Sequence, residues 1–425
     1  MNETATNQPD VLALDPPRPA GLYQRLVLDA LGRMTVGCLR LRLPGGEVRT
    51  IGTPGAEISA TLRVLDPAFF QKCVLFGDVG FGESYVAGDW ETDSIERVLA
   101  WAILNVENSP AMSGSKTRKV ALNLLQYYNR ALHLLRPNSI ATARRNIAEH
   151  YDLGNDFYRL WLDPTMTYSS ALFTASGQSL EAAQTAKYAA LCRQLQLQPS
   201  DHVLEIGSGW GGFASHAARH YGCRVTTVTI SEEQFKYARE RLAREGLAER
   251  VEIRLTDYRA ITGSFDKVVS IEMMEALGDR YLETYFAKIH EVLKPGGLVA
   301  LQYITVPDSR HPELKRGIDW IQKHIFPGSL LLSVGRVNTA LNRTGDLFLH
   351  HLEDLGASYA QTLHAWWETF NARTAEVRAL GFDARFIRKW NYYLQYCEAA
   401  FAMRNISVVQ ATYTRPNNRA LHQKL

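Results

Sequence analysis

The run VLEIGSGWGG at residues 203–212 sets glycines at 207, 209, 211 and 212 directly behind an apolar, strand-like stretch. Glycine lets the backbone turn sharply and approach a ligand closely at the carboxyl end of a parallel strand. Dinucleotide sites use similar spacing, but two residues argue against one here. Glu205 places a carboxylate inside the motif, and Phe213 stands where a third fingerprint glycine would be. A dinucleotide site needs room there for a pyrophosphate on the helix N-terminus. A carboxylate suits instead a cationic ligand, such as the methionyl ammonium of S-adenosylmethionine, with Glu205, Gly207 and Gly209 around it. Two further strand ends agree. Thr229, Ile230 and Gln234 follow the next strand where a ribose would sit, and Asp257 and Tyr258 end a third, where a carboxylate can meet an adenine amine.

These residues need a scaffold that brings strand ends together. From Asn146 onward, strand-like and helix-like stretches alternate with short connections, which predicts an α/β fold with a doubly wound, Rossmann-like parallel sheet. Ser179 and Ser231 are expected helix N-caps, and KPGG at 294–297 an expected turn. Residues 305–385 interrupt the pattern and read as a helical lid over the ligand crevice, with SLLLSV lining an acyl tunnel or forming core. Ahead of this unit, residues 1–18 read as a loose tail and 19–110 as a small α+β domain, a packing or dimerisation module. It contains a hairpin from Cys38, Gly-rich turns at Phe76–Gly82 and a helix in SIERVLAWAIL. Residues 111–145 read as a basic helical linker.

The chain has 425 residues, 46% of them hydrophobic, and a formal net charge of +3, which excludes collagen-like and wholly disordered classes and gives no sign of a nucleic-acid partner. Five scattered cysteines without a CxxC pair support neither a disulfide framework nor a metal site, and a reducing cytosol is the default. The first ten residues lack a basic and an apolar region, arguing against a signal peptide, and no 18-residue apolar run occurs. The charge is uneven. Lys116–Arg145 carries seven basic residues and no acidic one, leaving a net −4 elsewhere. Such a segment is a solvated linker or a surface attracted to anionic lipid.

Beyond the glycine run, the stretches HYDLGNDFY (150–158), LDPTMTYS (162–169), SIEMMEALG (270–278) and IFPG (325–328) carry a resemblance to the cyclopropane fatty acid synthases and mycolic acid cyclopropane synthases. The resemblance covers about 146–425. It implies that Tyr168 and Ser169 close over the methionyl part of the cofactor, that Gly207 and Gly209 line it, that Thr229, Ile230 and Gln234 meet the ribose, and that Asp257 and Tyr258 meet the adenine. It further implies a bicarbonate ion beside the transferring methyl, held by a Cys, a Glu, a His, an Ile amide and a Tyr. Glu275, Ile304 and Tyr359 match three of these. The Cys becomes Ser170 and the His becomes Gln302, which can hydrogen-bond an anion but cannot titrate near neutral pH.

The implied reaction moves a methyl to the double bond of an unsaturated phospholipid acyl chain, giving a cyclopropane; a methyl-branched or methylene product and a small-molecule N-methyltransferase are the alternatives. Water must be excluded from the cation that results, and aromatic faces can stabilise it. Two or three of Tyr303, Trp320, Tyr359, Trp366, Trp367 and Tyr393 are expected to touch substrate. Glu275 is the residue expected to position or replace the base, with Glu272 outside the chemistry, and Cys397 is expected to be structural. The partners implied are acyl chains and an anionic membrane surface visited peripherally from the cytoplasmic side, with a homodimer compatible.

Overall fold

The computed structural model describes residues 21–108 and 153–421. The expected tail and basic linker, with the first residues of the HYDLGNDFY stretch, lie outside the described residues. The amino-terminal part builds a four-stranded sheet from β1 (Cys38–Arg42), β2 (Val48–Gly52), β3 (Ser59–Val64) and β4 (Trp90–Glu91), in the order β2-β1-β3-β4. The expected hairpin is β1–β2, closed by Leu43 and Glu47 around Gly46. Alternation sets its faces, with Leu39 and Leu41 buried and Arg40 and Arg42 exposed.

The Gly-rich stretch Phe76–Gly82 is not a set of turns. It lies within the helix Ala68–Ala87, kinked at Gly77, where φ is 58°. Glycine is needed there for close packing: a Cβ on Gly82 would sit 2.5 Å from the Trp320 ring. The helix Ile95–Leu104 forms as expected, capped by Ser94.

The second sheet has seven strands. β5 (His202–Ile206), β6 (Arg224–Thr229), β7 (Val251–Leu255), β8 (Phe265–Ile271) and β9 (Leu293–Thr305) run parallel, while β11 (Ser407–Thr414) pairs antiparallel with both β9 and β10 (Phe348–Asp354). The order is β10-β11-β9-β8-β5-β6-β7, so the chain reverses direction across the sheet between β5 and β8. Ligand crevices of doubly wound sheets open at that point. Ser179 and Ser231 cap their helices as expected.

Two expectations change here. KPGG belongs to β9 as an irregularity in its pairing with β8, because Gly296 takes a φ of 75° and Gly297 packs on the Asp266 carbonyl. The segment 305–385 is not all lid: β10 extends the sheet, and the buried side of helix Val334–Thr344 joins its core.

The amino-terminal sheet shares its core with the carboxyl-terminal helices. Phe69, Phe70, Trp90 and Trp101 belong to one buried cluster with Phe157, Trp161, Trp366 and Trp390. Each such side chain contributes about 1.5–3 kcal/mol by leaving water. Polar ties cross the same boundary. Glu83 accepts hydrogen bonds from Lys323 Nζ at 2.6 Å and His324 Nε2 at 2.9 Å, and Arg388 donates to the Tyr85 and Trp90 carbonyls. These contacts hold the short helix Trp320–His324, which forms one wall of the cavity described next.

Candidate active site

A cavity of about 410 Å³ opens at the carboxyl ends of β5, β6, β7, β8 and β9. All ten residues that the sequence assigns to the cofactor line it: Tyr168, Ser169, Glu205, Gly207, Gly209, Thr229, Ile230, Gln234, Asp257 and Tyr258. Gly207 has a φ of 98°, and a Cβ on Gly209 would meet no atom within 4 Å, so the loop is bare on its cavity side. Thr229 Oγ1 donates to Gln234 Oε1 at 3.0 Å, and Asp257 is gripped at both oxygens by Arg259. The buried Tyr258 hydroxyl makes no hydrogen bond.

Glu205 is buried and accepts from Thr227 Oγ1 at 2.6 Å. Burial pushes its carboxyl up to about 8, opposed by that hydrogen bond and by Lys187. A cationic ligand would draw it into its charged form. Lys187 was not singled out from the sequence, where it is one more polar residue in a helical stretch. In the fold it is fully buried, with Nζ 2.7 Å from Ser169 Oγ, and desolvation lowers it to about 7 against the pull of Glu272, Asp163 and Glu205.

The other polar centre is Glu272, which the sequence reading set aside. It lies just past the end of β8 with a φ of 48°, a left-handed conformation that disfavours side-chain-bearing residues. Oε1 accepts from the Ser170 amide and from Gln302 Nε2, both at 2.8 Å, and Oε2 accepts from the Tyr359 hydroxyl at 2.8 Å. The Gln302 amide is itself oriented by a relay. Gln194 Nε2 donates to Gln410 Oε1 at 2.9 Å, and Gln410 Nε2 donates to Gln302 Oε1 at 3.0 Å. Each amide thus points its nitrogen toward Glu272.

Glu275 stands differently. Its Oε1 accepts from the Ile304 amide at 2.6 Å, while Oε2 is buried without a hydrogen-bond partner. Burial, with the Glu272 charge adding to it, pushes its carboxyl up to about 8.

Of the residues expected to do chemistry, Glu275, Ile304 and Tyr359 line the cavity, together with Glu272. Ser170 and Gln302 do not. The Ser170 hydroxyl donates to the Ala171 carbonyl and is fully buried, and both ends of the Gln302 amide are spent on Gln410 and on Glu272 and the Ser170 carbonyl. Of the six aromatics put forward, Tyr359 and Tyr393 reach the cavity; Tyr303 pairs with Tyr413 in the sheet core, and Trp320 and Trp366 are core. The lining also includes the apolar side chains of Ile321, Phe326, Leu330, Leu331, Leu363 and Phe401. Part of the SLLLSV run therefore lines the cavity, while Leu332 is core. Cys397 also lines it, and burial raises its thiol well above the usual range, so it is not a thiolate.

A family model described as mycolic acid cyclopropane synthetase matches residues 138–411. The chain belongs to this family. It is 37% identical over 418 residues to a tuberculostearic acid methyltransferase of Mycobacterium tuberculosis, covering 94% of this chain and 93% of that protein. It is 38% identical over 358 residues to the cyclopropane-fatty-acyl-phospholipid synthase of Escherichia coli K12, covering 84% and 88%. The crystal structure of a mycolic acid cyclopropane synthase complexed with SAH and CTAB superposes with a TM-score of 0.60 at 29% identity, covering 64% of this chain and 98% of that one.

The protein is thus an S-adenosylmethionine-dependent methyltransferase of this cyclopropane synthase family, with the class I fold. The bare glycine loop, the buried Glu205 and the unpartnered Tyr258 hydroxyl fit the cofactor. The residues do not fit a bicarbonate ion. Four of the five groups that the family resemblance assigns to it are already taken: the Tyr359 hydroxyl and Gln302 amide by Glu272, the Ile304 amide by Glu275, and the Ser170 hydroxyl by the main chain; only Glu275 itself keeps an oxygen without a partner.

Proposed function

We propose that the protein methylates the double bond of an unsaturated phospholipid acyl chain, working at a membrane surface. The observation that carries this reading is that one cavity is lined by the glycine loop, by two carboxylates and by aromatic and aliphatic side chains. S-adenosylmethionine supplies an electrophilic methyl group when bound. Glu205, Gly207 and Gly209 hold its methionyl end under Tyr168 and Ser169, Thr229, Ile230 and Gln234 its ribose, and Asp257 and Tyr258 its adenine. An isolated alkene is a weak nucleophile, and its alkylation leaves a cation that water would trap as an alcohol. Tyr359, Tyr393 and Phe401 offer π faces that steady this charge without attacking it.

Loss of a proton from the new methyl group closes a cyclopropane, the product named for the Escherichia coli relative. A second reading, a methylene product that a hydride donor could later reduce to a methyl branch, is favoured by the likeness to the tuberculostearic acid methyltransferase over 94% of the chain. Membrane contact is supported by the seven basic residues between Lys116 and Arg145, each worth about 1 kcal/mol near anionic headgroups. Among the described residues no helix is long and apolar enough to cross a membrane.

The test is to incubate the protein with methyl-labelled cofactor and vesicles of monounsaturated phosphatidylglycerol. Label should enter the acyl chains; label in headgroups, or in no lipid, overturns the proposal. Proton NMR of the labelled lipid then separates ring, methylene and branch.

A further inference from the structure

Glu272 and Glu275 both face the cavity, three positions apart, yet their surroundings separate their roles. A base must be ionised before it can accept a proton. Burial raises the Glu272 carboxyl, but three hydrogen-bond donors on it and the nearby Lys187 oppose that rise and favour the ionised form. Glu275 has a single amide donor and an oxygen with no partner, surroundings that favour the protonated acid. Backbone conformation points the same way. Glu272 keeps a φ of 48° that glycine would adopt more readily, and such strain persists where neighbouring structure holds it. Here the Ser170 amide, the glutamine relay and Tyr359 hold it, all by way of the carboxylate.

We propose that Glu272 is the catalytic base of the transfer, a carboxylate of the chain itself that takes the place of a separately bound anion. The assignment rests on the reading of the reaction as methyl transfer to an acyl double bond. In that reaction the alkene π pair forms the new carbon–carbon bond while the carbon–sulfur bond breaks and its pair stays on sulfur. One positive charge passes to the acyl chain. Glu272 then accepts a proton from the new methyl group, and the freed C–H pair closes the three-membered ring. If a hydride first shifts between the two chain carbons, the same proton loss forms the methylene. Either route leaves a neutral lipid and a protonated Glu272, and needs no oxidant or reductant.

The experiment compares the full-length protein with Glu272→Gly and Glu272→Gln in buffer stripped of carbon dioxide. Glycine suits the positive φ, so this variant should keep its fold and bind cofactor within a few-fold of wild type by calorimetry. Wild type should transfer label into acyl chains at the same rate with and without added bicarbonate, and should show no broadening of the ¹³C-bicarbonate NMR signal. Glu272→Gly should lose about 100-fold or more in rate, the scale of general base catalysis. It should broaden the bicarbonate signal and regain activity with bicarbonate or formate, while Glu272→Gln, whose amide still fills the place, should lose activity and not be rescued. A wild type that needs bicarbonate, or a Glu272→Gly variant with full activity in its absence, overturns the assignment. A wild type that labels no acyl chain under any buffer overturns the reading of the reaction instead.

Discussion

At the glycine-loop end of the cavity, polar groups come from consecutive strand ends, each close to its neighbours in sequence. Gln234 reaches Thr229 and Arg259 grips Asp257 within a few residues. At the other end, Glu272 is held by Ser170, Gln302 and Tyr359, up to 102 residues away in sequence, and Gln302 by Gln410 beyond them. One end rests mostly on short-range motifs. The other exists only when the β8 end, β9, β11 and the helix Gly356–Ala372 are all in place. The lesson is that binding and chemistry can occupy one cavity while depending on structure of very different range.

Four measurements sharpen or break this contrast. The largest effect is expected for Glu205→Gln, which removes a buried charge facing a cationic ligand and should weaken cofactor binding about 100-fold, the scale of a charge-assisted hydrogen bond. Calorimetry reads it, and unchanged affinity would show that the loop end does not bind through charge. Tyr359→Phe takes one donor from Glu272 and should lower kcat about tenfold with cofactor affinity kept; an equal fall in affinity would merge the two ends.

The pH dependence of binding follows with a smaller slope. The Glu205 carboxyl is raised to about 8, so below that pH the free protein carries it protonated, and a cation must displace the proton. Cofactor Kd should therefore fall as pH rises toward 8, by at most tenfold per unit, with proton release detectable by calorimetry in buffers of different ionisation heat. The smallest effect is expected for Gln410→Leu. It leaves Gln302 free to turn its nitrogen away from Glu272, which destabilises the carboxylate and should move the acid limb of the kcat profile to higher pH, with a few-fold loss of rate. A uniform loss without a shifted limb would make the relay merely structural.

Residue type and spacing carried the α/β class, the succession of strands and helices through β5 to β9 and the residues that line the glycine-loop end, because strand periodicity, N-caps and a glycine run are short-range signals. The KPGG turn and the Gly-rich stretch at 76–82 were misread for one reason. Glycine marks both a turn and a close approach, and only the neighbouring Trp320 ring or Asp266 carbonyl tells them apart. The two carboxylates are not told apart by sequence. Glu272 and Glu275 look alike in SIEMMEALG, and their difference lies in donors supplied by residues 170, 302 and 359.

The sequence by itself determined a methyltransferase fold, its family and a cofactor loop, since each is written in patterns spanning a few to a dozen residues. Tertiary structure alone decided which glutamate is surrounded by hydrogen-bond donors, that Lys187 is buried among carboxylates, and that the amino-terminal helix Ala68–Ala87 holds the cavity wall through Glu83 and Gly82. The physical reason is that a carboxylate's charge state depends on which distant groups remove it from water and which donate to it, and chain folding brings those groups together.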